Sequence, residues 1–197
     1  MIPPAPLDYT DEGLSVLPKS LLSLTIFGRS HFSSAFFEFL PKNLTTLDMY
    51  SNIDRQNNTP LLQANLKQLP EGLRVLSLSN WVVGGPGILI DQLPRTLTSF
   101  STILNTPFIG EQGDWPPDLT ALEFTVKNAN YGMFDLLPKQ LTSLPLRIDD
   151  DRTLMSTFRE KLPDSLKSLK INKMDIPLNK NDISLNEKLI PFERRLL

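Results

Sequence analysis

The 197-residue chain predicts an α/β solenoid, a stack of short parallel strands joined by helical or irregular connectors, and three observations carry that reading. One phrase, Leu-Pro-x-x-Leu-x-x-Leu-x-apolar, recurs seven times, starting at Leu17-Pro18, Leu40-Pro41, Leu69-Pro70, Leu93-Pro94, Trp115-Pro116, Leu137-Pro138 and Leu162-Pro163. Successive prolines lie 23, 29, 24, 22, 22 and 25 residues apart, the period of stacked repeats. At the end of each copy the apolar residues fall on every second position, the spacing of a strand with one buried face.

Each element follows from its place in the phrase. The proline lacks an amide donor and drives the residue before it out of the helical region, so it ends the preceding connector. Counted from that proline, position +3 is leucine in every copy: Leu21, Leu44, Leu73, Leu97, Leu119, Leu141 and Leu166. Position +6 is Leu24, Leu47, Leu76, Phe100, Leu122, Leu144 and Leu169. Position +8 is Ile26, Met49, Leu78, Thr102, Phe124, Leu146 and Ile171, so Thr102 alone breaks the apolar column. A return of about 20 residues is far too long for a tight hairpin, which makes successive strands parallel neighbours in one sheet. One unit cannot bury its own leucines, whereas stacked units can. On this reading Leu122 is core and Ser99 is not.

The connectors carry apolar residues at helical spacing, as in Leu61, Leu62, Leu66 and Leu69, and in Met133, Phe134 and Leu137. Thr59-Pro60 resembles an N-cap followed by proline at the first helical position. A short helix is expected over 152–161, on Leu154, Met155 and Phe158. Gly84-Gly85-Pro86-Gly87 and Asn105-Thr106-Pro107 predict irregular stretches, and Trp81 the start of a connector. Phe32, Phe36, Phe37 and Phe39 read as core beneath a short helix, and Trp115 as packing in a leucine position. Exposed strand edges at both ends call for caps. Residues 1–16, with three prolines among the first six, form the expected N-terminal cap, 17–175 the seven repeats, and 176–197, with Ile183, Leu185, Leu189, Ile190 and Phe192, a C-terminal cap or tail. The chain is thus expected to be one domain.

These Leu-Pro-x-x-Leu-x-x-Leu units resemble leucine-rich repeats, and in particular the LPX-type repeats of bacterial effectors and the FNIP-type repeats of social amoebae. The resemblance covers about residues 17 to 175 and implies a curved solenoid with its parallel sheet on the concave face. One family feature is mostly missing. The position where leucine-rich repeats place a turn-bonding asparagine holds Arg29, Asn52, Trp81, Asn105, Lys127, Asp149 and Met174, which predicts uneven turns and variable convex loops.

Composition excludes more than it identifies. No cysteine is present, so there is no disulfide framework, thiolate zinc site or cysteine nucleophile in this chain. The single histidine, His31, excludes two-histidine metal sites, and no Gly-x-Ser-x-Gly elbow supports a serine triad. Gly84-Gly85-Pro86-Gly87 lacks the Gly-Lys-Ser/Thr ending of a phosphate loop, and Asp149-Asp150-Asp151 lacks the remainder of a calcium loop. The chain is therefore expected to be no enzyme and to use no cofactor or metal. Twenty basic against 22 acidic residues give a net charge of −2, without the positive field that nucleic acid or anionic membrane needs. The N-terminus has no secretory pattern and no apolar run of about 18 residues occurs. A cytoplasmic monomer with a protein partner is the expectation.

In a sheet of this kind positions +5, +7 and +9 point away from the core, with +4 beside them. These columns are mostly serine and threonine, a floor that offers few of the aromatic and arginine anchors of tight interfaces. Phe27 and Tyr50, adjacent in column +9, with Asp48 on the same strand, form either the expected anchor or a pair covered by the first connector, and Arg147 stands near the opposite end. Arg74, Ser77, Ser79 and Glu123 complete the expected concave partner-binding surface. The resemblance implies a protein-interaction module. Its alternatives are the substrate-recognition part of a ubiquitin-ligase assembly and a carbohydrate or small-molecule binder.

Overall fold

The structure, a computed structural model, describes residues 11–27, 36–50, 63–82, 88–104, 108–126, 131–148 and 160–178. Along the chain run α1 (Asp11–Ser15) and strands β1 (Ser23–Phe27), β2 (Thr46–Tyr50), β3 (Val75–Val82), β4 (Ile88–Leu89), β5 (Ser99–Leu104), β6 (Phe108–Ile109), β7 (Ala121–Val126), β8 (Ser143–Ile148), β9 (Ser168–Ile171) and β10 (Met174–Asp175). Seven of these strands begin five residues after a repeat proline. They pair in parallel in the order β1-β2-β3-β5-β7-β8-β9, and β10 adds antiparallel to β9. Equivalent positions stand opposite one another, as in Leu24↔Leu47, Leu47↔Leu76, Leu76↔Phe100 and Phe100↔Leu122. The +6 and +8 side chains therefore form two rows on one face of the sheet, buried from β2 to β9.

The phrase is also a hydrogen-bonding unit. In all seven copies the N–H of the +3 leucine donates to the carbonyl of its proline at 3.0–3.2 Å, closing a four-residue turn. The +4 carbonyl then accepts the N–H groups of positions +4 and +5 in the next repeat at 2.8–3.1 Å, from Leu22 through to Thr142. Side chains reinforce this step in three of the repeats. Thr45, Thr98 and Thr142 donate their hydroxyls to the same carbonyls at 3.0–3.1 Å. At position +2, Asn43, Thr96, Gln140 and Ser165 donate to backbone carbonyls of the preceding repeat's turn. Regularity rests on the backbone step at the head of each strand, which these side chains reinforce in several repeats.

On the other side of the core the described connectors contain short 3-10 segments of one or two turns: Phe36–Phe39, Gln63–Gln68, Ile90–Gln92, Gln112–Asp114 and Tyr131–Leu136. The helix expected around Leu61–Leu69 is such a 3-10 segment from Gln63 onward. The reason lies in the proline. The residue before it donates its N–H three residues back, as Leu69 does to Leu66 at 3.2 Å, and the proline stops propagation there. Phe36, Phe37, Met133, Phe134 and Trp115 are buried as expected, whereas Phe39 is exposed. Of the helix expected over 152–161 only Glu160 and Lys161 are described, in a 3-10 conformation; residues 152–159, Phe32, Gly84-Gly85-Pro86-Gly87, Asn105-Thr106-Pro107 and the tail residues Ile183 to Phe192 lie outside the described residues. Trp81 does not start a connector; it continues β3 past a register shift between Leu78 and Val82.

Two features have no counterpart in the repeat phrase. β4 and β6 form a second, parallel pair behind the core, followed by Gly110 at φ 140°, where an added Cβ would stand 2.6 Å from Ile90 Cγ1. After β9 the chain reverses through Asn172 and Lys173, both at positive φ. Asn172 is therefore no open-face strand residue. Its Oδ1 accepts from Ile148 N at 2.9 Å and its Nδ2 donates to Ile148 O at 3.2 Å, pinning the hairpin to β8.

Thr102 marks the weak point of the core. It is 2% exposed, and its Oγ1 has no hydrogen-bond partner among the described residues. An unpaired buried hydroxyl costs roughly 1–3 kcal/mol. Thr102→Val is expected to raise stability by about 0.5–2 kcal/mol, read as a higher urea midpoint. A lower midpoint would mean the hydroxyl is bonded in the folded protein.

Candidate functional site

The face opposite the core is built by strand parity alone. In β2 the burial alternates half-buried, buried, half-buried, buried, exposed, which sends Thr46, Asp48 and Tyr50 outward. The same parity sends Ser23, Thr25 and Phe27 outward from β1. Phe27 and Tyr50 are register partners, and their rings lie 6.2 Å apart at 50°, 61% and 41% exposed. Asp48 stands on the same face, between Thr25 and Ser77 in register, and half-buried. The structure thus brings together the three residues expected to form the anchor.

The middle of the face is a floor of Ser77, Ser99, Ser101 and Ala121, all half-buried. Ser79 continues β3. Arg74 is exposed one residue before β3 and its carbonyl is the acceptor for Thr98 and Ser99. It flanks the face at the head of the strands instead of lying in it. Toward the other end Glu123 and Arg147 meet diagonally across β7 and β8, Oε1 to Nη2 at 3.5 Å, with side chains 39% and 58% exposed. An exposed pair of this kind contributes at most about 1 kcal/mol. Three strand steps, about 14–15 Å, separate β2 from β7, so Asp48 and Glu123 do not act on one small group.

Leu22 is 58% exposed and lies outside the columns that strand parity assigns to the open face. The signal was available in column +4, where Leu22 is the one apolar member among Thr45, Arg74, Thr98, Thr120, Thr142 and Lys167. Together Leu22, Phe27 and Tyr50 give the β1 end of the sheet its apolar character. At the far end a cleft lies among Leu162, Pro163, Asp164, Leu166, Leu169, Pro177 and Leu178. Among the described residues no group of three His, Cys, Asp or Glu side chains is placed to hold a metal ion, and no helix is long and apolar enough to cross a membrane. His31 and Asp149-Asp150-Asp151 lie outside the described residues.

The chain matches no protein-family model and no curated protein. Among solved structures it is similar to the leucine-rich repeat-containing protein LegL7 from Legionella pneumophila, with a TM-score of 0.50 and 17% identity over 85% of this chain and 64% of that one. It is also similar to CroV588, a circular leucine-rich-repeat protein, with a TM-score of 0.39 and 20% identity over 82% of this chain and 28% of the other. The chain thus spans less than two thirds of LegL7. The first likeness shows the fold: an α/β solenoid of leucine-rich repeats with its parallel sheet on the concave face.

Proposed function

We propose that this chain is a non-catalytic protein–protein interaction module of the cytoplasm, one domain over residues 1–197, that holds its partner on the open face of the sheet. The observation that carries this reading is the Phe27–Tyr50 pair, two large rings exposed side by side on a face whose middle is mostly small hydroxyl residues. Exposed aromatic side chains supply much of the energy at interfaces, and a neighbouring carboxylate such as Asp48 fixes orientation. Ser77 and Ser79 then act as the floor along which the partner lies, and Arg74, Glu123 and Arg147 as polar contacts at its rim.

Affinity purification from a cell extract with mass spectrometry, followed by titration of the purified partner, tests this reading. The folded double variant Phe27→Ala, Tyr50→Ala is expected to weaken binding by at least about 2 kcal/mol, a loss near thirtyfold. Unchanged affinity would remove the aromatic pair as the anchor. Capture of glycans in place of protein by the wild type, lost in the same variant, would favour a carbohydrate binder that stacks sugars on Tyr50 and Phe27.

A further inference from the structure

We infer that the outer edge of β1 is a self-association surface, on which a second copy of this chain lays its own β1 antiparallel to make one continuous sheet. This goes beyond the partner-binding reading, does not depend on it, and replaces the monomer expected from the sequence.

Among the described residues the edge is uncovered, and it is wired for pairing. β1 stands at one end of the sheet order, and Ser23 and Thr25 are exposed. Leu22 O already accepts from Thr45 N and Thr46 N. By the alternation of a parallel ladder, Leu24 and Ile26 then also bond toward β2, while Ser23, Thr25 and Phe27 turn their N–H and C=O groups outward. No described residue pairs with that outer side. The core beneath is also incompletely covered: Leu21 and Leu24 are only partly buried, whereas Leu44, Leu47, Leu73 and Leu76 at the same repeat positions are fully buried.

The two ends of the sheet differ in kind. At the far end β10 turns back over β9, spans two residues, carries the Lys170–Asp175 pair at 3.6 Å and is soon followed by Pro177. A short, charged, proline-ended edge resists extension. β1, Ser-Leu-Thr-Ile-Phe, has no charge, no proline and no glycine. Head-to-tail stacking of β1 on another copy's β10 is therefore blocked, and β1 on β1 is the pairing left, an isologous contact that closes at two.

Self-complementarity fixes the register. Centred on Thr25, antiparallel pairing sets Thr25 against Thr25, Ser23 against Phe27 and Leu24 against Ile26 of the second copy. The first two are narrow pairs whose outward groups exchange two hydrogen bonds each. Leu24 and Ile26 meet their counterparts on the core side, so parity is kept on both faces and no like charges are opposed. Both open faces, each with its Phe27–Tyr50 pair, then look the same way.

Sedimentation velocity of the full chain from micromolar to submillimolar concentration tests this, with two variants at the centre of the register. The wild type is expected to move from the 22.3 kDa of one chain toward twice that mass. Thr25→Pro deletes an outward N–H that β2 does not use, and β8 already carries proline at the same repeat position, Pro145. It is expected to keep the wild-type circular dichroism and to sediment as a monomer throughout. Thr25→Lys places two ammonium groups together on the two-fold axis and is expected to weaken the dimer about tenfold, with recovery at high salt; this second variant decides the matter if the proline variant does not fold. A wild type that stays monomeric at every concentration, its edge covered by its own chain, overturns the inference. So does a dimer that survives both variants, or a series of oligomers growing beyond two.

Discussion

Replacing Phe124 by alanine is expected to destabilise the protein by about 3–5 kcal/mol. Phe124 is fully buried at position +8 of β7, in register with Thr102 on one side and Leu146 on the other. Its ring meets Phe108 edge-on at 5.6 Å and Phe134 at 6.3 Å, so it joins the sheet to the connectors of two successive repeats. Truncation leaves a void that strands tied by register on both sides close only in part, and a cavity term adds to the lost transfer energy. In a solenoid each repeat is held by its neighbours, and a failure in the middle uncouples the two halves. The matched control is Ser99→Ala, on the open face of β5, expected to change stability by no more than about 0.5 kcal/mol. Urea unfolding of both variants checks the pair; equal losses would mean that the two faces of the sheet have been exchanged.

That contrast rests on information present in the sequence. Seven prolines at repeat spacing mark the strand starts, because a residue without an amide donor punctuates a chain wherever it falls. With the starts known, period two assigns faces and the parallel connection assigns order, so Phe27 beside Tyr50 was legible before any coordinates. The diagonal meeting of Glu123 with Arg147 was not. Parity places both residues on the face, but the contact depends on side-chain reach across the register, which column arithmetic does not contain. The connectors were legible only as apolar cover, since the same spacing serves a helix or a 3-10 turn until the donor of the residue before the proline is followed. β4 with β6, and the hairpin at Asn172-Lys173, stand outside the repeat and left no periodic trace. The polar ladders of Thr45, Thr98, Thr142, Asn43 and Gln140 were visible as letters; their role appears once each is seen against the carbonyl of the preceding repeat.

Trp115→Leu restores the leucine found at this position in every other copy and is nonetheless expected to cost about 2–4 kcal/mol. The repeat phrase alone predicts the opposite, because six of its seven copies place leucine before the proline. The surroundings decide. Trp115 is 2% exposed and its ring stands edge-on to Phe108 at 4.8 Å. Its Nε1 donates to Leu136 O at 2.6 Å, across to the turn of the following repeat. Leucine is smaller and has no donor, so the change opens a gap against Phe108 and leaves a carbonyl without the bond it makes now. Phe108 belongs to β6, which pairs behind the core with β4 of the preceding connector, and this part of the solenoid has been shaped around an indole. Trp115→Phe separates the two contributions: it keeps an aromatic ring but loses the donor, and is expected to fall between wild type and leucine in urea midpoint. A leucine variant as stable as wild type would show that the consensus position dominates its local packing.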